Sequence, residues 1–219
     1  MNINRQELQE YLSSHFPHMQ IDMEHTLAGQ ITIKFNTTEN DSLEAEERVG
    51  QAVERAGLIF RSLFGRTSAP LWILAYEYDD DYMFEYDSEY LVRQIMPEAA
   101  KEFTTNVEEV NSRMIVVNEK GDDVMEKANA SVTIGKAAFQ DIKVELILQG
   151  IANRENGLEP VVGQSVYFFD ATNHTGFHMY DDRGFFIWSN DAEKLRAIYN
   201  TYNDWIPEYT KEDIEEFFT

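Results

Sequence analysis

The stretch Gln164–Asn190 constrains the fold more than any other part of this chain, because it holds the densest run of aromatic residues. Its apolar side chains recur at every second position, which is the pattern of β-strands, and two turn-forming segments divide it into three strands. One face is predicted to carry Val166, Phe168, Phe177, Met179, Phe186 and Trp188. The alternate face is predicted to carry Tyr167, Phe169, His178, Tyr180, Phe185 and Ile187. Because neither face is polar, helices or a partner must cover both.

The rest of the chain predicts helices and further strands around this meander. Apolar residues at helical spacing predict helices near Val53, Leu146 and Ile198, and an amphipathic helix over Asn4–Phe16. The helix near Leu146 is predicted over Phe139–Arg154, with Leu146 facing the core and Asn156-Gly157 closing the helix. Asn190 is expected to cap the helix near Ile198. Strands are predicted near Ile31, Ile73, Ile115, Val132, Tyr167, His178 and Ile187, and Glu98–Asn111 is ambiguous between loop, strand and helix.

These elements predict an α+β fold. The sheet is expected to be antiparallel or mixed, to contain the C-terminal three-stranded meander, and to be packed by three or four helices. Pro70–Asp79 is nearly all apolar or aromatic, which is typical of a central strand covered on both faces. No internal repeat or glycine-serine linker interrupts the chain, so residues 1–219 are predicted to form a single α+β domain.

The charge of the chain restricts its partners. It has 40 acidic and 18 basic residues and a formal net charge of -22, and the excess is equal on the two sides of Ala100. Such a charge repels nucleic acid and anionic membranes and favours basic proteins or cations. The alternative is that the acidity only keeps the protein dissolved.

Several chemistries are excluded or disfavoured by composition and motifs. The chain has no cysteine, which excludes disulfides, thiol nucleophiles and cysteine-ligated zinc. No apolar run approaches the roughly 20 residues of a membrane helix, and the N-terminus lacks a signal-peptide core, so a cytoplasmic protein is expected. Phosphate-loop, dinucleotide, serine-hydrolase and zinc-protease motifs are absent, and no cofactor is predicted.

Six short motifs carry a resemblance to a known family. In chain order they are F-P at Phe16-Pro17, R-S-L-F at Arg61–Phe64, I-A-N-R-E-N-G at Ile151–Gly157, V-Y-F at Val166–Phe168, F-H-M-Y-D-D-R-G at Phe177–Gly184 and I-Y-N-T-Y-N-D-W-I at Ile198–Ile206. Together they resemble the bacterial family of domain of unknown function 3885, over most of the chain except about Tyr82–Asp123. The resemblance implies a fold unit and a bacterial origin rather than a reaction. It also implies a loose association with toxin and immunity gene clusters.

His178 is the first candidate for chemistry, because Asp181 and Asp182 follow it closely. A histidine beside carboxylates suggests general acid/base or metal chemistry. The alternative is structural: D-D-R-G is a hairpin turn in which Gly184 takes a positive φ, and His178 is a hydrogen-bonded residue within a strand. Since no nucleophile or substrate-binding partner is identified, no catalytic residue is assigned beyond these three weak candidates. The other histidines show no ligand spacing.

The acidic segment Glu77–Glu89 is the second candidate. Its sequence E-Y-D-D-D-Y-M-F-E-Y-D-S-E has seven acidic residues, interleaved with aromatics and uninterrupted by a basic residue. The D-x-D spacing suggests calcium, but the glycine and the closing glutamate of a calcium loop are missing, so no metal site is predicted. It is either a solvated edge segment or a surface for a basic partner. The predicted partner-binding residues are Tyr78, Asp79, Asp80, Asp81, Tyr82, Glu85, Tyr86 and Asp87.

Three functions follow as hypotheses. The first is an acidic cytoplasmic protein-binding module, an immunity-type inhibitor of a basic, nuclease-like bacterial toxin that acts through the acidic segment. The second is an enzyme that uses His178 with Asp181 or Asp182, with or without a divalent metal. The third is an oligomeric role, in which the aromatic strands form a subunit interface.

Overall fold

A computed structural model describes residues 3–38, 43–78, 86–118 and 120–219 of the chain. Seven strands form one antiparallel sheet in the order β1-β7-β6-β5-β2-β4-β3. Their bounds are β1 Ile31–Asn36, β2 Leu71–Tyr78, β3 Thr104–Val117, β4 Asp123–Ala137, β5 Ser165–Asp170, β6 Thr175–Asp181 and β7 Gly184–Ser189. The α+β fold and the C-terminal meander β5-β6-β7 are therefore confirmed.

Seven α-helices connect or cover the described strands. They are α1 Ile3–His15, α2 Ala45–Phe64, α3 Tyr90–Arg93, α4 Pro97–Ala100, α5 Val144–Asn156, α6 Ala192–Tyr202 and α7 Glu208–Glu215. Short 3₁₀ turns occur at Glu24–Thr26, Phe139–Asp141 and Asn203–Trp205. That residues 1–219 make a single domain stays a prediction.

Helices α2, α5 and α6 cover one face of the sheet, and an aromatic cluster fills the layer between them. Phe60 of α2 lies at its centre, with ring centroids 4.9 Å from Phe168, 5.1 Å from Phe177 and 4.7 Å from Phe64. The apolar stripe of α2 recurs every three or four residues, so one side of the helix is buried along its whole length. This face holds the larger of the two buried clusters.

The opposite face of the sheet is covered by α1. Leu8, Leu12 and Phe16 are fully buried there against the aromatic side chains of the central strands. Strand β2 lies between β5 and β4, and six consecutive residues from Leu71 to Tyr76 are buried. This burial on both faces explains why the segment has no polar alternation.

A β-bulge at Tyr180 changes which side chains of β7 face each layer. A regular two-residue turn at Asp182-Arg183 would pair Met179 with Phe186, and these two residues are predicted to share one face. The structure instead pairs Met179 with Phe185, because Tyr180 is an extra residue in β6. The predicted faces of β7 are therefore wrong: Phe185 and Ile187 pack with Phe177, whereas Phe186 and Trp188 belong to the α1 side.

The end of the β6-β7 hairpin and the start of α6 also differ from expectation. Gly184 does not take the predicted positive φ; the described glycines that do are Gly121 and Gly157. The cap of α6 is Asp191, whose carboxylate accepts a hydrogen bond from the Glu193 N–H at 3.0 Å. Asn190 does not cap the helix, because its side-chain oxygen accepts a hydrogen bond from the Gln30 backbone N–H at 2.9 Å.

The placement of Leu146 in the core is wrong. Helix α5 begins only at Val144, after a separate 3₁₀ turn at Phe139–Asp141. Its buried side is formed by Val144, Ile147 and Ile151, at intervals of three and four residues, which leaves Leu146 39% exposed. The end of the helix is as predicted, with Gly157 in a left-handed conformation at φ 63°.

Strands β3 and β4 form a ribbon that is longer than the sequence predicts. Strand β4 pairs with β2 over Ala130–Ala137. It pairs with β3 as far as Asp123, so the ribbon continues past Tyr78, the last described residue of β2. The predicted strands near Ile115 and Val132 are parts of these two strands, and the ambiguous segment before them is largely β3.

Candidate functional site

A cleft of about 500 Å³ lies on the α1 side of the sheet. Side chains from β1, β2, β3, β4, β6 and β7 contribute to its wall. The bulge at Tyr180 helps to form it, because it places Phe186 on this face. The residues used below to describe its chemistry are Glu24, Lys34, Tyr78, Arg113, His178 and Phe186.

A buried carboxylate forms one end of the cleft. Glu24, which is 2% exposed, accepts a hydrogen bond from the Tyr167 hydroxyl at 2.6 Å and another from the Tyr78 hydroxyl. Burial, followed by the negative charge of Glu24, raises the pKa of both tyrosines. The two phenols therefore stay protonated at neutral pH and act as donors to the carboxylate.

Two cations lie close to one aromatic ring in the cleft. The Lys34 ammonium is 6.0 Å from the centroid of Phe186, and the Arg113 guanidinium is 5.7 Å from it. Lys34 also donates a hydrogen bond to the Tyr209 hydroxyl at 2.8 Å, and Arg113 donates a hydrogen bond to the Tyr167 hydroxyl at 3.3 Å. Both cations are thus held by neutral groups, through hydrogen bonds and cation–π contacts.

The imidazole of His178 is buried between strands. Its Nδ1 lies 2.9 Å from the carbonyl oxygen of Val166, and its ring stacks on Tyr167 at 4.1 Å. Burial, and secondly the charge of Arg113, lower the pKa of His178 to about 3. The ring is therefore neutral at physiological pH and is a weak base.

The neutral state of His178 predicts a pH dependence of folding. The pKa of a histidine in an unfolded chain is about 6.5, so the folded state binds fewer protons than the unfolded state below that value. The stabilisation by neutral His178 is complete above pH 6.5 and is lost as the pH falls toward the folded pKa of about 3. From pH 7 to pH 5 the free energy of unfolding is expected to fall by about 2 kcal/mol through this group.

Urea unfolding at pH 7, 6 and 5 measures this dependence. The His178→Phe variant should lose about 2 kcal/mol less than the wild type between pH 7 and pH 5, whatever its stability at pH 7. His18→Gln is the matched control, because it removes an exposed histidine outside the strands. Parallel curves for the wild type and His178→Phe would contradict the buried neutral imidazole.

Asp181 and Asp182 do not join His178 in the cleft. Asp181 accepts hydrogen bonds from the Arg183 backbone N–H at 2.7 Å and from its Nε at 2.8 Å. Asp182 is buried and forms an ion pair with Arg48 of α2. Neither lines the cleft. The hypothesis of an enzyme that uses these three residues stays a prediction, and their separation gives it no geometric support.

The predicted partner-binding segment falls partly outside the described residues. Asp79, Asp80, Asp81, Tyr82 and Glu85 lie outside them. Of the remaining three, Tyr78 is half-buried and bonds to Glu24, as given above.

Tyr86 and Asp87 are the other two described residues of the predicted partner-binding set. The Tyr86 ring occupies the space beside Gly163, where a Cβ atom would meet it at 2.2 Å. Asp87 is exposed and pairs with Arg93, whose hydrogen bond lowers the pKa of that carboxyl. Of these two predicted contact residues, only Asp87 offers an exposed side chain.

The far end of the ribbon is an exposed apolar surface that sequence analysis did not identify. We define the ribbon tip as residues 114–118 and 120–125. Five of its apolar side chains are between 37% and 67% exposed: Met114, Ile115, Val117, Val124 and Met125. Asp122 and Asp123 are exposed beside them. Clustered apolar side chains on a protein surface are typical of a contact with another protein.

Two histidines that are distant in sequence meet at the edge of the α1 layer. The rings of His15 and His174 stack at 3.9 Å. Burial, and secondly His15, lower the pKa of His174.

Among the described residues, no group of three or more histidine or acidic side chains is arranged to hold a metal ion. None of the described helices is both long enough and apolar enough to span a bilayer.

Comparison with known proteins identifies the family. The uncharacterized protein YnaE of Bacillus subtilis (strain 168) is 30% identical over 76 residues, which cover 32% of this chain and 36% of that protein. The chain thus matches about a third of the length of this relative. No solved structure matches the chain. The family model of the domain of unknown function DUF3885 matches residues 8–210. The chain therefore belongs to the DUF3885 family.

Proposed function

We propose that this protein is an acidic cytoplasmic protein-binding module that acts as an immunity-type inhibitor of a basic, nuclease-like bacterial toxin. The observation that supports it is the exposed apolar surface of the ribbon tip in a chain of net charge -22. Apolar side chains that stay in contact with water in the isolated protein gain free energy when a partner covers them. The charge of the whole chain selects a basic partner.

The ribbon tip and the acidic segment begin at the same end of the sheet. Tyr78, the last described residue before the five predicted contact residues from Asp79 to Glu85, pairs with Ala130 of β4. The ribbon continues past the sheet from that same position. Among the described residues, the proposed surface combines the apolar centre of the ribbon tip with the exposed carboxylates of Asp122 and Asp123, an arrangement common in protein interfaces.

The proposed inhibition follows from the charge of a nuclease groove. Such a groove is lined with lysine and arginine side chains that bind phosphates. Carboxylates of this protein would occupy the positions of the phosphates, and the ribbon tip would supply the apolar contact that slows dissociation. Complementary charge also raises the association rate, and added salt reduces that effect.

The test uses the C-terminal domains of secreted proteins encoded beside this gene, purified as inactive variants. A basic domain is expected to bind, and the pair Ile115→Asp and Met125→Asp is expected to weaken its affinity at least tenfold, because charges then replace the apolar centre. The matched control is Val107→Asp. Val107 is 70% exposed on the same strand but lies outside the ribbon tip, so its replacement should leave the affinity within about twofold.

The electrostatic part of the proposal has its own variant. Charge reversal at Asp79, Asp80 and Asp81 is expected to slow association and to flatten its dependence on salt. The same reversal of three exposed glutamates at the C-terminal end, Glu212, Glu215 and Glu216, changes the net charge equally at another place. If both triple variants bind alike, or if no basic domain binds the wild type, the proposed function is wrong.

A further inference from the structure

The cleft contains two cations that pair with no carboxylate of the described residues, although the chain is strongly acidic. Among the described residues, Lys34 and Arg113 form no ion pair, although the chain has 40 acidic residues. Most other cations here are paired, for example Arg5 with Glu108 at 2.6 Å and Lys136 with Glu7 at 2.6 Å. Lys34 and Arg113 line the same cleft. This arrangement leaves a place for a negative group between them.

The cleft also presents a hydrogen-bond acceptor of His178 to a ligand. The carbonyl oxygen of Val166 can only accept, so Nδ1 of His178 must carry the proton that joins them. Nε2 is therefore an unprotonated acceptor, and no described residue donates to it. Nε2 is not shut off from solvent, so a donor on a ligand in the cleft can reach it. His178 is 3% exposed and lines the cleft.

The remaining charges of the cleft limit the charge of a ligand. Among the described residues, three basic and two acidic side chains line it, which gives a net charge of +1 within a chain of -22. Glu24 is already bonded to two tyrosines. A ligand with a single negative charge would neutralise the cleft, whereas a doubly charged ligand would leave an excess beside Glu126.

We propose that the cleft binds a small organic acid: a carboxylate with one negative charge, an O–H or N–H donor close to it, and an apolar body. The carboxylate lies between Lys34 and Arg113, and the donor bonds to Nε2 of His178. The apolar body packs on Phe186 and Met114, which also line the cleft. This site is separate from the proposed toxin-binding surface and does not depend on it.

Nuclear magnetic resonance titration of the full chain tests the proposal with matched probes. Mandelate has an aromatic body, a carboxylate and a hydroxyl, and phenylacetate lacks only the hydroxyl. Mandelate is expected to bind about fivefold more tightly, because its hydroxyl satisfies Nε2. The imidazole ¹⁵N resonance of Nε2 should start at the position of an unprotonated nitrogen and shift with mandelate but not with phenylacetate. Glycerol 3-phosphate, with its double charge, should bind more weakly than mandelate.

Variants separate the proposed contacts from general charge effects. The pair Lys34→Gln and Arg113→Gln is expected to weaken mandelate binding at least tenfold. The pair Lys101→Gln and Lys120→Gln removes the same charge from exposed lysines outside the cleft and should leave binding unchanged. His178→Gln should abolish the preference for mandelate over phenylacetate. Unfolding curves of each variant establish that it is folded.

Three results would overturn the proposal. They are equal binding of mandelate and phenylacetate, mandelate binding that survives Lys34→Gln with Arg113→Gln, and no binding of either acid up to its solubility limit. Preference for glycerol 3-phosphate would assign the cleft to phosphate esters instead. The ribbon-tip variants Ile115→Asp and Met125→Asp should bind mandelate as the wild type does, so failure of the toxin proposal and failure of this one are distinguishable.

Discussion

Replacing Phe60 with alanine is expected to lower the free energy of unfolding by about 3–5 kcal/mol. Phe60 is fully buried, and its ring meets those of four other phenylalanines, in α2, β5, β6 and the turn before α5. Alanine would remove the aromatic contacts and leave a cavity that α2 and the sheet cannot both close. Urea unfolding followed by circular dichroism at pH 7 measures the loss.

Leu146→Ala is the control for this experiment. The sequence pattern places Leu146 in the core, but the structure leaves it 39% exposed on α5. Its replacement is expected to cost less than about 1 kcal/mol. If Leu146→Ala destabilises the protein as much as Phe60→Ala, α5 does not begin at Val144 with Leu146 facing solvent.

Replacing Arg48 with leucine is expected to lower the free energy of unfolding by about 3 kcal/mol. Arg48 of α2 pairs with Asp182 in the β6-β7 turn, and the side chain of Asp182 is only 3% exposed. Without Arg48 the buried carboxylate would have no ion-pair partner among the described residues, which costs more free energy than the loss of an exposed ion pair. The measurement is again urea unfolding at pH 7.

Two further variants test whether burial is the cause. Adding Asp182→Leu to Arg48→Leu is expected to restore most of the lost stability, because the uncompensated charge is removed. Arg61→Leu breaks an exposed pair of the same helix, with Glu145, and should cost no more than about 1 kcal/mol. Equal losses for Arg48→Leu and Arg61→Leu would show that the Asp182 pair is not buried.

Local patterns were sufficient to predict many elements of the fold. The stripe of α2, the continuous apolar run of β2 and the alternation in β5 each have one dominant period. Gly157 ends α5 as expected, because a left-handed residue costs glycine little. In these segments the side chains that set the local conformation are also the ones that the core buries.

Register between strands could not be predicted in the same way. The face that Phe186 and Trp188 occupy depends on one extra residue, Tyr180, and a regular turn would fit the local sequence equally well. Strand β3 could not be assigned clearly from the sequence, for another reason. Its outer part pairs only with β4, so most of its residues are exposed and show no alternation of apolar and polar side chains.

The cleft could not be predicted from sequence spacing. Glu24, Lys34, Arg113 and His178 belong to four separate elements, which only the sheet order brings together. Lys34 is the residue that local pattern could have indicated, since it alternates with buried neighbours on β1. Its partner cation lies on a strand that the sequence left partly undefined. The chemistry attached to His178 therefore depends on long-range register rather than on the adjacent aspartates.

The pairing of β1 with β7 has a consequence for how the chain matures on the ribosome. Ile31–Asn36 find their only described strand partner in Gly184–Ser189, near the other end of the chain. During translation, the first strand is made long before the strand that completes its hydrogen bonds. Its open edge must therefore remain unpaired, or be shielded by chaperones, through most of synthesis. Closure of the sheet is consequently a late event in biogenesis, set by sequence separation rather than by the strength of local contacts.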